Sequence, residues 1–302
     1  MNVTLRQLRV FRAIAEEHNF SRVGERIGLT QPAVSRSIHE LESQLGIRLL
    51  DRTTREVALT SAGQSLATRL DWLLDELDQA LRDVGDMGSA LRGRVRVASS
   101  PTLSANLMPE CIAACLQHEP DIQLVLLDRI QQDVLASVRA GEVDFGLVIE
   151  PSPINDLHCE SIMQDPFVLV APKTHPLMQH SSLRWSALSG QPLVLLDYAS
   201  GSRRLIDAAL GRHGAQCEVA QELGHPTTVF RMVEAGIGIS VMPALAVPPE
   251  GLGQLATRPL IPVVQRDIVL VHRRNRSPSP VAHRVWELIR GTVMGRVEKQ
   301  IR

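Results

Sequence analysis

The chain has 302 residues and a net charge of −1, with 44% hydrophobic and 3% aromatic residues. Such a length excludes a lone small module and suits about two to three domains with aliphatic cores. A near-neutral balance is unusual for a nucleic-acid binder, but the distribution of charge matters more than its sum. Residues 1–60 hold nine Arg against seven Asp and Glu, so the first segment is mildly positive. Lysine occurs only at Lys173 and Lys299, which leaves guanidinium as the main cation. Arg favours bidentate contacts to phosphate or guanine, although genomic base composition accounts for the same usage.

Cys111, Cys115, Cys159 and Cys217 make no CxxC pair and no zinc spacing, so neither a metal nor a cofactor is expected. Cys111 and Cys115 fall in an apolar helical run, where buried thiols are common, and so few cysteines fit a reducing compartment. No apolar run nears the roughly 18 residues of a membrane span, and the N-terminus lacks the basic-then-apolar order of a signal peptide. A cytoplasmic protein with no membrane partner is the expectation.

Leu5, Leu8, Phe11 and Ala15 recur at helical spacing and predict a first helix with one apolar face. Asn19 and Ser21 can cap a second helix, with Val23 and Ile27 turned inward. Gly28 and Leu29 make a turn in which glycine accepts left-handed backbone. Thr30 then suits the N-cap of a third helix, with Pro32 in its first turn, where a missing N–H costs little. In that helix Val34, Ile38, Leu41 and Leu45 form one apolar stripe, and Gln31, Pro32, Ser35, Arg36 and His39 lie off it. Leu49-Leu50 and Val57-Ala58-Leu59 flank Asp51-Arg52-Thr53-Thr54-Arg55 and read as a two-stranded wing. A solvated amphipathic helix with a hairpin is the bland alternative. The joint order of cap, Gln-Pro, stripe and basic hairpin points instead to a DNA reader whose helix enters the major groove.

Leu66, Leu70, Leu73, Leu77, Ala80 and Val84 alternate steps of four and three, an a/d seam that one helix cannot bury alone. The seam predicts either a coiled-coil-like dimer contact or packing on the helix's own chain. Gly85, Gly88 and Gly93 break the helix. Strands are then expected at 94–99, 122–127 and 144–149, with helices at 105–117 and 133–139 between them. This β-α-β-α-β order predicts a parallel sheet with helices on both faces. Further strands are expected at 167–171, 193–196, 218–223, 238–242 and 268–272, and helices at 203–213, 228–235 and 281–296. The order implies two α/β halves, with chain crossings near residues 162 and 267 that make a double hinge around a cleft.

Phe20-Ser21, Leu29-Thr30-Gln31-Pro32-Ala33-Val34-Ser35, Leu41-Glu42, Leu45-Gly46, Leu49, Arg52 and Leu59-Thr60 with Gly63 closely resemble the N-terminal signature of LysR-type transcriptional regulators. Gly141-Glu142-Val143-Asp144, His175-Pro176-Leu177 and Glu234-Ala235-Gly236-Ile237-Gly238-Ile239 with Met242-Pro243 extend the resemblance over the whole chain. Val23-Gly24 stands where the family usually has two alanines, and Leu50 where Phe is common; both predict a locally altered helix contact. The resemblance implies an N-terminal all-α winged helix-turn-helix, a long linker helix, and a two-lobed α/β effector domain like periplasmic binding proteins. In this numbering they are 1–60 (helix-turn-helix motif about 21–40), 61–88 and 93–302. Lobe I is 93–162 with 267–302, and lobe II is 163–266. A homodimer through 61–88, usually doubled to a homotetramer, would bind an interrupted palindrome in double-stranded promoter DNA. A small effector in the cleft would change DNA bending and transcription, with RNA polymerase a further candidate partner.

For DNA, Gln31, Ser35 and Arg36 are the candidates for base edges or nearby phosphates, and Thr30 with the first-turn amides beside Pro32 suits a phosphate. Arg52 and Arg55 suit the backbone or minor groove beside the wing; pairing with a carboxylate is the alternative for Arg52. For the effector, ligands of parallel α/β sheets sit beyond the carboxyl ends of strands, where helix N-termini present amides. Ser99, Ser100 and Thr102 follow the first strand, Arg129 follows the second, and Ile149 closes the third. Tyr198 and Ser200 take the same place in the second lobe, and His225 and Thr227 open the helix before Val229. A small organic anion is the expected effector, although each of these residues alone is as readily a cap or loop residue.

A redox or metal sensor built on Cys159 and Cys217 is one alternative, but no basic flank would acidify either thiol. A metabolic enzyme of α/β fold is another, pictured from Asp197, His225 and Ser100. No Gly-x-Ser-x-Gly elbow, phosphate loop or zinc-protease motif is present, so no catalytic residue is assigned.

Overall fold

The computed structural model describes residues 3–52, 57–85, 92–151, 156–248 and 251–301. They fall in two compact units, Met1–Ala90 and Leu91–Arg302.

In the first unit α1 (Leu5–Glu17) opens with a capping box, in which Thr4 and Gln7 each accept the other's backbone N–H. Asn19 accepts from the amides of Ser21 and Arg22 to start α2 (Phe20–Ile27), and Gly28 ends it in left-handed backbone. Thr30 stands at the N-cap of α3 (Gln31–Leu45) in extended backbone but makes no side-chain cap bond. Val10, Phe11, Ile14, Val23, Val34, Ile38 and Leu41 close one core between the three helices. Leu5 and Ile27, expected on buried faces, are exposed. Each lies in a terminal turn, and the inward stripe of α1 runs through Gln7, Val10, Phe11 and Ile14 instead.

The departure at Gly24 has a local cause. A Cβ there would stand 2.6 Å from the Leu29 carbonyl oxygen, and the Leu29 N–H donates to the Gly24 carbonyl. Glycine therefore lets the turn fold back directly onto α2.

β1 (Leu50–Arg52) and β2 (Val57–Leu59) pair antiparallel as the wing. Glu42 on α3 accepts from the amides of Leu49 and Leu50, which fixes where the wing leaves the helix. Thr60 accepts from Gly63 N–H and donates to the Arg48 carbonyl at the start of α4 (Ser61–Gly85). Leu66, Ala67, Leu70 and Leu74 of α4 pack into the unit's core, whereas Leu73, Leu77 and Leu81 are exposed. The expected seam is thus split: Leu70 turns inward, and a separate stripe at 73, 77 and 81 faces out. Ala80 and Val84 lie outside the described side chains.

The second unit opens with β3 (Gly93–Ser99), which pairs parallel with β4 (Ile122–Asp128) and β5 (Phe145–Ile149). The connections are α5 (Pro101–Asn106), α6 (Met108–His118) and α7 (Gln131–Ala140). A single long strand, β6 (Leu157–Pro172), then crosses into the second half. That half carries β7 (Leu183–Arg184), β8 (Pro192–Leu196), α8 (Arg203–Arg212), β9 (Glu218–Leu223), α9 (Pro226–Glu234), β10 (Ser240–Pro243) and β11 (Leu255–Ile261). β12 (Gln265–Arg273) crosses back, and α10 (Pro280–Ile301) closes the first half.

The main sheet runs β4-β3-β5-β12-β6-β11-β7 with β10 on β6, and β8-β9 forms a separate parallel pair. It is mixed rather than purely parallel, because β12 returns antiparallel to both β5 and β6. Val97, Leu103, Phe145, Leu270 and Trp286 mark the core of the first half. Phe167, Trp185, Leu195 and Val241 mark that of the second. β6 contributes to both, through Ile162 and Phe167, and pairs with β12 over residues 157–166, with a register slip between Ile268 and Val269.

Candidate functional site

On the first unit the polar face of α3 is open. Thr30, Gln31, Pro32 and Arg36 are exposed or half-buried and Ser35 is half-buried, on the side away from Val34, Ile38 and Leu41. Arg22 and Arg26 pair with Glu16 and Glu17; Arg36, by contrast, has no partner among the described residues. The helix N-terminus carries a partial positive charge beside it. An outward guanidinium, an amide side chain and an uncapped helix start on one face suit an anionic duplex with readable base edges. Arg52 ends β1; its side chain and the whole of Arg55 lie outside the described residues.

The second unit holds a cleft of about 800 Å³. Thr102 and Asn106 of α5, Asp128 at the end of β4, and His225, Thr227 and Phe230 at α9 line it, with Ala246, Pro248 and Gly251 to Gly253 closing one side. Thr102 is only 9% exposed, and its hydroxyl has no hydrogen-bond partner among the described residues. His225 holds the N-cap of α9 without a side-chain bond. Arg231 reaches the cleft already paired to Glu234 at 2.8 Å.

The structure therefore brings Thr102, His225 and Thr227 together. Ser99 and Ser100 stand just before α5 and are buried, and the Ser100 hydroxyl lacks a partner among the described residues. The other sequence candidates have local tasks. Arg129 donates to Ser137 and to Glu142 (3.0 Å for the latter), so it clamps α7 to the turn at Gly141 rather than lining the cleft. Ile149 is buried and donates its N–H to Gln131. Ser200 donates to the Asp197 carbonyl and accepts from Arg203 N–H, a turn residue. Tyr198 is exposed, donates to Asp207, and lies over the Arg203 guanidinium at 4.6 Å.

Asn106, Asp128, Phe230, Arg231 and Glu234 line the cleft without being sequence candidates. Helical spacing could find three of them, because Asn106 lies four residues beyond Thr102, and Phe230 and Arg231 three and four beyond Thr227.

All four cysteines are free thiols. Burial pushes Cys111 up to about 12 and raises Cys115, Cys159 and Cys217 as well. None is thereby activated toward the thiolate that redox chemistry requires. Among the described residues no cluster of three or more His, Cys, Asp or Glu could hold a metal ion. No helix among them is long and apolar enough to cross a membrane.

A winged helix-turn-helix followed along the chain by a two-core α/β domain with a cleft defines a DNA-binding module and a ligand-binding domain in one protein. Residues 5–64 match the bacterial regulatory helix-turn-helix protein model of the lysR family, and residues 88–293 match the LysR substrate binding domain. The chain is 56% identical over 291 residues to the uncharacterized HTH-type transcriptional regulator YfeR of Shigella flexneri, covering 96% of this chain and 94% of that one. It is 30% identical over 290 residues to the regulator YbhD of Escherichia coli strain K12, covering 96% and 92%. Among solved structures, a full-length OxyR variant from Pseudomonas aeruginosa superposes with a TM-score of 0.72 at 25% identity, covering 97% and 98%. CbnR in complex with its target DNA shares the fold, with a TM-score of 0.69 at 20% identity over 96% and 99% of the chains. The chain belongs to the LysR family of DNA-binding transcriptional regulators, and it is a regulator rather than an enzyme.

Proposed function

We propose that this regulator reads an interrupted palindrome in promoter DNA as a paired molecule and changes transcription when a small organic anion enters the cleft. One observation carries the effector half of the reading: Thr102, 9% exposed on the cleft wall, has a hydroxyl that bonds to nothing among the described residues. That hydroxyl is open to the cleft, where a ligand can take the place of solvent. Ser100 Oγ at the N-cap of α5 is buried with no partner among the described residues, a donor that is costly to leave unmet. Thr227 stands at the N-terminus of α9, whose partial positive charge favours a carboxylate. Ser100, Thr102, His225 and Thr227 are the proposed effector contacts, and Arg231, already neutralised by Glu234, adds no free charge.

On DNA, Gln31, Ser35 and Arg36 reach base edges or nearby phosphates. Thr30 and the turn at Pro32 hold a phosphate, and Arg52 and Arg55 follow the backbone beside the wing. Pairing comes from the exposed stripe of Leu73, Leu77 and Leu81 within residues 61–88, apolar surface that a second copy can remove from water. A dimer of dimers in the cytoplasm, working beside RNA polymerase, completes the reading. The raised thiols speak against the redox alternative.

Thermal-shift and calorimetric screening of organic acids against the full chain tests it. A fitting acid at about 100 times its Kd should stabilise the protein by about 2.7 kcal/mol, and Thr102→Val should remove most of that gain. Binding by neutral or cationic compounds alone would defeat the anion assignment.

A further inference from the structure

Asp165 and Arg266 face each other in the register of β6 and β12, the two crossing strands. Both side chains are 1% exposed. Arg266 Nε donates to Asp165 Oδ2 at 2.9 Å, and Nη2 lies 2.8 Å from the same oxygen. Two more bonds leave the pair: Leu245 N–H donates to Asp165 Oδ1 at 2.9 Å, and Arg266 Nη1 donates to Ser202 Oγ at 2.8 Å.

Each of those bonds ends where the two halves of the unit touch. Leu245 belongs by chain order to the second half, yet its side chain packs into the first core with Val97, Phe145 and Trp286. Its short turn, Ala244–Ala246, lies against α5, the helix that carries Thr102. Ser202 follows Gly201, where a Cβ would collide with the side chain of Gln131 from α7. Gln131 in turn accepts from Ile149 N–H at the end of β5. One buried ion pair is therefore a single bond away from both contacts.

Stability alone does not explain such a pair, because an apolar pair of similar volume is often as stable or more so. Directed bonds add something apolar surfaces lack: they hold their partners at fixed angles, while apolar faces can slide.

We infer that Asp165 and Arg266 form the pivot of the second unit, a strut on the crossing strands that sets, through Leu245 and Ser202, how far the cleft stands open. They act through other residues and are positioning residues. The regulatory meaning rests on the cleft being the effector site, but the geometry can be tested without any effector.

The test uses full-length protein with spin labels in place of exposed Leu116 and Val263, attached without using the native cysteines and diluted with unlabelled chains. Electron–electron resonance then reports the distance between the halves. Wild type should give one narrow distance. The double variant Asp165→Leu/Arg266→Met should still unfold cooperatively but show a shifted or split distance, and Ser202→Ala, which leaves the pair whole, should show a smaller spread. A folded double variant with the wild-type distance overturns the proposal. If the double variant does not fold, wild-type distances in both Ser202→Ala and Arg266→Lys overturn it instead. Failure here leaves the effector reading intact, since that reading stands or falls with the acid screen.

Discussion

The two units use arginine in opposite ways. In the first, Arg22 and Arg26 bind Glu16 and Glu17 and hold α2 against α1, while Arg36 is left outward and unpaired among the described residues. In the second, Arg231 on the cleft wall and three arginines away from it are engaged within the unit. Arg129 holds Glu142, Arg203 holds Asp207 and Glu222, Arg231 holds Glu234, and Arg266 holds Asp165. A surface meant for DNA must keep donors free for an external acceptor. A frame that shapes a cleft uses them internally, and in the proposed reading leaves recognition to a hydroxyl and a helix end.

Substitution should expose that contrast. Arg266→Met alone strands a buried Asp165 carboxylate, and urea denaturation should show a loss of about 3–5 kcal/mol. Arg36→Ala should leave stability within about 0.5 kcal/mol. The same change should cost about 1–3 kcal/mol on the operator and less on random DNA, measured by fluorescence anisotropy. Equal losses on both DNAs would reduce Arg36 to a phosphate contact. If both substitutions destabilise the fold alike, the contrast itself is wrong.

A smaller effect separates the units by pH. His272 packs against His158 with the rings tilted by 39° and their centroids 4.8 Å apart, and meets Trp286 edge-on. Burial, with repulsion from His158 as a lesser cause, holds its pKa below the ordinary histidine value. The folded state thus prefers neutral imidazole, so its stabilising contribution is present above about pH 6.5 and is lost as pH falls below that. His272→Gln should flatten the decline in urea midpoint between about pH 8 and about pH 5.5; an unchanged slope would assign the decline to other groups.

Much of the first unit is legible in the sequence because its signals act over a few residues. Thr60 meets Gly63, and Glu42 meets the start of the wing, all within one motif. The leucine seam is harder to read. Steps of three and four fit either the Leu66-Leu70-Leu74 face or the Leu73-Leu77-Leu81 face, and only packing against the rest of the unit decides which is buried. In the second unit β3, β4, β5, β8 and β9 fall where the periodicity puts them, whereas β6 begins ten residues before its expected 167–171 and runs through Pro166. A helix expected at 105–117 is instead two, broken at Leu107 ahead of Pro109. β11 escapes the pattern because Pro259 falls inside it.

The cleft is legible only in part. Thr102, His225 and Thr227 sit at strand-to-helix turns, which the order of elements locates. Asp128 joins them through the tertiary fold alone. Arg129 fails as a candidate because the left-handed turn at Gly141 brings Glu142 within its reach. Spacing along the chain does not show such a partner.

The central claim is that cleft and reader are coupled. DNase footprinting of the full-length protein on its operator, with and without an acid that stabilises it, tests this most directly. For wild type the account predicts a changed footprint or bend when the acid is added, and for Thr102→Val an unchanged one at the same concentration. A footprint that ignores every stabilising acid, or shifts equally in Thr102→Val, would contradict it.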